Sequence, residues 1–70
     1  MNLKLYKEYY IEVNGNINYS GLLEKVNKDI ITLIEVEIYG YCKEDYINKI
    51  DVHLNEIMEL WEVDTNKRIF

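Results

Sequence analysis

The sequence predicts a small, mainly β domain. Apolar and polar residues alternate over short segments, most clearly from Ile30 to Tyr39, which is the period of a pleated strand with two faces. Clusters of turn-forming residues separate these segments: Asn14-Gly15-Asn16, Asn27-Lys28-Asp29, Gly40 to Asp45 and, more weakly, His53-Leu54-Asn55-Glu56. Short apolar runs bounded by such clusters are the usual signature of strands. Proline is absent, so no strand position lacks a backbone donor.

The elements follow in chain order. Residues 1–8 predict a short N-terminal helix or arm, with Leu5 and Tyr9 on one side. Tyr9 to Val13 alternates as a first strand and runs into Asn-Gly, the pair best suited to the positive φ of a tight hairpin. Ile17 to Val26 is the second strand, and Gly21 inside it marks a bend or a close backbone approach. In the third strand, Ile30, Thr32, Ile34, Val36 and Ile38 share one face, with Ile31, Leu33, Glu35 and Glu37 opposite. Its first half is apolar on both faces, so it starts in the core and ends half exposed. Tyr46 to Val52 is the fourth strand. Leu54, Ile57, Met58 and Trp61 have helical spacing, but Ile57 to Val63 also reads as a fifth strand, and the five-strand arrangement favours the strand. Residues 64–70 are left as a C-terminal tail. Five short strands with a glycine-bent second one predict a bent antiparallel barrel over residues 9–63, in one domain of residues 1–70.

Composition narrows the function. Seventy residues make one domain with a thin core, burying only about 60% of the unfolded surface. Cys42 is the sole cysteine and His53 the sole histidine, which excludes an internal disulfide and a Cys/His metal cluster. No metal or cofactor is expected, and a small domain without such staples is expected to self-associate. No apolar run is long enough for a membrane span, and the N-terminus lacks a signal peptide's apolar stretch. With a lone cysteine, this points to the cytoplasm. A net charge of −5 argues against double-stranded DNA and anionic lipid, which need a basic footprint, but leaves room for a local nucleotide or single-strand site. The abundance of Ile, Asn, Lys, Tyr and Glu suits a low-GC bacterium or its phage. No nucleophile–base arrangement and no glycine-rich phosphate loop stands out, so no enzyme is expected.

Val13-Asn14-Gly15, Gly21-Leu22-Leu23, Asn27-Lys28-Asp29 and Ile30 to Val36 together resemble the first signature of the Sm/Hfq-like family. Val52-His53-Leu54-Asn55-Glu56-Ile57 resembles its short second signature. The resemblance spans roughly Tyr9 to Val63. It implies five bent antiparallel strands after a short helix, and a ring of six or seven copies joined by pairing the fourth strand of one copy with the fifth of the next. Single-stranded RNA binds such rings at the loops before the third and fifth strands. With Gly21 aligned to the family's bent-strand glycine, Asn27 falls on the loop aspartate, Asp29 on a base-stacking position and Ile31 on the base-reading asparagine of Sm proteins. His53 replaces an arginine, Leu54 a glycine, and Asn55 matches an asparagine. The Lys-His pair of Hfq is absent.

The candidate ligand-binding residues are therefore Asn27, Lys28, Asp29, His53 and Asn55, with Tyr39. Amides can read base edges, Lys28 can meet a phosphate and His53 can stack or carry charge. The same residues also serve plain turns, because Asn and Asp bond their own backbone. Tyr39, Tyr41 and Tyr46 bracket the third break and are candidate stacking platforms, although tyrosines also fill cores and interfaces. Glu44 and Asp45 near Cys42 disfavour its thiolate. Glu35, Glu37, Glu56, Glu59 and Glu62 lack calcium-loop spacing and read as a solvated face. Two functions remain in view. One is an oligomeric module holding a nucleotide, a short single strand or another small anion. The other is an acidic adaptor or inhibitor domain of SH3-like type that holds a partner protein, a basic one being suited to its charge.

Overall fold

The computed structural model describes residues 2–14, 16–40 and 43–69. Six strands form one antiparallel sheet: β1 (Glu8–Asn14), β2 (Ile17–Asn27), β3 (Ile30–Gly40), β4 (Lys43–His53), β5 (Glu59–Glu62) and β6 (Lys67–Arg68). Their order is β4-β3-β2-β1-β5-β6. The first four form a meander, β5 returns beside β1 through a 3-10 turn at Leu54–Glu56, and β6 folds back on β5. The sheet is not closed, since β4 and β6 remain its two edges.

The mainly β expectation holds, with two corrections. The described residues form six strands instead of five, because the expected tail carries β6 and Ile69 donates its N–H to the Leu60 carbonyl at 2.7 Å. No helix forms in residues 2–7. That segment turns at Leu5 and Tyr6, where Tyr6 has φ 61, and then runs along β2. The Tyr6 N–H bonds the Leu23 carbonyl at 2.6 Å, and the Leu23 N–H bonds the Lys7 carbonyl at 3.0 Å. Bonding across to β2 replaces the isolated helical turns that so short a segment cannot sustain.

The core is formed by Tyr9 and Ile11 of β1, Leu23 of β2, Ile31, Leu33 and Val36 of β3, Val52 of β4, and Ile57 and Leu60. A one-layer sheet buries side chains this fully only by curling around them, and two local irregularities assist. The β2–β3 register slips between Ser20 and Leu22, and again between Leu23 and Lys25. At the first slip β3 carries an extra residue and Glu35 adopts φ 51. Bulges of this kind bend and twist a strand.

This bulge corrects the expected faces of β3. Ile31 and Leu33 are buried before it and Val36 after it, so the inward set changes from odd to even positions at Glu35. The extra residue shifts the phase by one, and simple alternation could not reveal that. Gly21 lies opposite the bulge. A Cβ there would stand 2.8 Å from the Ile34 carbonyl oxygen and 3.2 Å from a Val36 methyl, which accounts for glycine by close approach. The third break is shorter than expected, because β4 already begins at Lys43. Gly15, Tyr41 and Cys42, on which parts of the first and third turns were placed, lie outside the described residues.

One polar network is buried with the core. The Tyr9 hydroxyl donates to Glu62 Oε2 at 3.4 Å and accepts the Lys4 N–H at 2.9 Å. Thr65 donates to Glu62 Oε1 at 3.1 Å. Both carboxylate oxygens are thus occupied, which a buried acid requires. The network joins the N-terminal arm, β1 and β5 to the turn before β6.

Candidate functional site

Two regions present side chains suited to binding. The first is the pair of loops expected from the sequence. Asn27 pairs with Ile30 around a two-residue turn, and Ile30 pairs in turn with His53. The Leu54 N–H donates to the Asp29 carbonyl at 2.7 Å, so Asn27, Lys28, Asp29, His53 and Asn55 gather at one end of the sheet. The sharp turn places Lys28 at φ 54. His53 caps the 3-10 turn, with its N–H bonded to the Glu56 carboxylate at 3.4 Å. A shallow cleft beside Lys28 is lined by Leu3, Val26 and Leu54. The charges are mixed, since Lys28 stands among Asp29 and Glu56. Tyr39 does not join this group. It lies towards the other end of β3, paired with Asn18 and Glu44.

The second region is the outward face of the sheet, which no single segment of the sequence contains. Directly opposed residues form a row across all six strands: Tyr46, Glu37, Ser20, Tyr10, Trp61 and Arg68. A second row runs beside it through Glu44, Tyr39, Asn18, Glu12 and Glu59. Residues alternate with the inward-facing Tyr9, Ile11, Val36 and Leu60, so both rows share the outer face. Arg68 is the single cation in the two rows.

Local bonds hold this face in order. The Tyr39 hydroxyl donates to Glu37, Trp61 Nε1 donates to Glu59 Oε1 at 3.0 Å, and Ser20 donates to Glu8 Oε2 at 2.9 Å. The bond to Glu37 pushes the Tyr39 phenol up to about 12, with smaller contributions from burial and from the Glu37, Glu44 and Glu8 charges. Partial burial raises the Tyr10 phenol, helped by the Glu12 and Glu59 carboxylates. Asn18 Oδ1 is shielded from solvent and accepts no hydrogen bond among the described residues. Two shallow clefts open on the face, one at Tyr39 and Tyr46 and one at Tyr10, Trp61 and Val63.

A sequence signal for this face exists. Glu-x-aromatic occurs as Glu8-Tyr9-Tyr10, Glu37-Ile38-Tyr39, Glu44-Asp45-Tyr46 and Glu59-Leu60-Trp61. Within a strand, that spacing puts the carboxylate and the ring on one side. It occurs in four strands, and register brings the copies together.

Among the described residues no group of His, Cys, Asp and Glu is arranged to hold a metal ion. Nor, among the same residues, is any helix long and apolar enough to cross a membrane. Comparison with protein-family models and with curated proteins finds no match.

Proposed function

We propose that the chain is a non-catalytic protein-interaction module on a small barrel of Sm-like or SH3-like kind. The meander β1 to β4, the bend at Gly21 and the return of β5 beside β1 support that scaffold. The observation that carries the function is the outer face, where four aromatic rings and several carboxylates lie in two adjacent rows. Rigid aromatic side chains with polar neighbours are the usual material of protein interfaces. A second observation favours the same reading over a ring. Ring assembly would use the outer edge of β5, but Arg68 and Lys67 pair with Trp61 and Glu62 there, and Ile69 bonds Leu60 beside them.

The alternative is a small anionic ligand, such as a nucleotide or short single strand, held at the loops. The Leu54–Asp29 bond that gathers Lys28, His53 and Asn55 supports it. Titration of the purified chain with nucleotides, oligo-U and oligo-A at low salt separates the two, because phosphate contacts are strongest there. The interaction reading expects no saturable binding and a solution mass no greater than a dimer. Saturable oligo-U binding by a hexamer or heptamer would overturn it.

A further inference from the structure

The chemistry of the outer face specifies the partner. Glu12 and Glu59 stand directly opposite each other on β1 and β5, and opposed like charges destabilise a strand pair. Tyr10 and Trp61 are the directly opposed pair next to them. The surface is rich in carboxylates and π faces and carries Arg68 as the single cation of its two rows, on a chain of net charge −5.

An arginine side chain complements each of these features. Its planar guanidinium supplies several donors in a fixed fork, stacks on aromatic rings and sheds water more readily than an ammonium. Resting on the protein-interaction reading, we propose that this face docks a basic partner segment and seats an arginine between Glu12 and Glu59 against the rings of Tyr10 and Trp61. The cation relieves the carboxylate repulsion, and the rings supply the apolar contact. The Glu37, Tyr39 and Tyr46 cluster at the far end of the two rows extends the surface for a further basic residue.

The test uses the whole chain and hexa-arginine as the probe, followed through Trp61, the one tryptophan. Saturable change of Trp61 fluorescence is expected, with hexa-lysine about tenfold weaker. Glu12→Gln with Glu59→Gln is expected to weaken hexa-arginine about tenfold. Glu56→Gln with Asp64→Asn makes the same change in net charge away from the face, with glutamine keeping the bond to the His53 N–H, and is expected to alter binding no more than about twofold. Equal affinity for the two peptides, or equal loss in the two double variants, would overturn the arginine seat, because bulk charge would then explain binding. An unresponsive Trp61 in a chain that still retains a protein partner would overturn the seat and leave the interaction reading intact. Binding of oligo-U by a ring would remove both.

Discussion

Single residues set the curvature on which the outer face depends. Gly21→Ala would put a Cβ 2.8 Å from the Ile34 carbonyl oxygen. Alanine in a strand ordinarily gains on glycine through the unfolded chain, but here the clash is with backbone and prevails. A loss of about 1–3 kcal/mol is expected, read as a lower urea midpoint. Lys28 shows the opposite case. Its φ of 54 costs a side-chain-bearing residue about 1 kcal/mol, and glycine adopts it freely at some cost in entropy. Lys28→Gly is therefore expected to raise stability by about 0.5 kcal/mol, visible as a small rise in midpoint. The tyrosines give a pH dependence. Tyr39 titrates near 12, above its ordinary value of 10.0, and burial raises Tyr9 and Tyr10 as well. The folded chain thus retains protons that the unfolded chain releases. The stabilisation is complete below pH 10.0 and is lost as pH rises towards about 12. Tyrosinate absorbance should show late-titrating groups in the folded protein, and Tyr39→Phe should remove the latest of them. Titration of all tyrosines at the ordinary value would contradict this.

At the scale of elements, β6 is the piece that decides which edges are free. It is two residues long, yet it pairs with Trp61 and Glu62 and is followed by the Ile69–Leu60 bond. Ile69→Pro removes that donor. It is expected to cost about 1–3 kcal/mol and to speed amide exchange at Lys67 and Arg68. It should also raise the solution mass, since an open β5 edge invites pairing with another copy. Unchanged exchange would show that β6 does not depend on this bond. Much of the element pattern was legible in the sequence, because the breaks at Asn27-Lys28-Asp29 and at His53 to Glu56 carry their own turn chemistry. The phase of β3 was not, since an extra residue at Glu35 leaves no mark in an apolar alternation. β6 was hidden for another reason. Lys67 and Arg68 are charged and short, and only their pairing with β5 makes them a strand. The loop candidates stand at one end of the sheet, whereas β3 carries Tyr39 towards the opposite end.

At the scale of the molecule, charge and curvature combine. The curled sheet directs its apolar residues inward and leaves an outer face on which Glu-x-aromatic units from separate strands merge. That face was spelled out in the sequence, but its assembly depends on register, which no single segment contains. A lone acidic strand is only a solvated surface. Opposed carboxylates beside paired rings form a surface that favours a cation over a phosphate, which is why the interaction reading is preferred to nucleic-acid binding. The most direct measurement is capture of a partner on the intact chain, with Glu12→Gln and Glu59→Gln together as the comparison. One stoichiometric protein is expected, with retention that falls in that variant and in high salt and with no nucleic acid in the eluate. Retention of RNA or nucleotide, or of a protein that ignores both carboxylates, would contradict it.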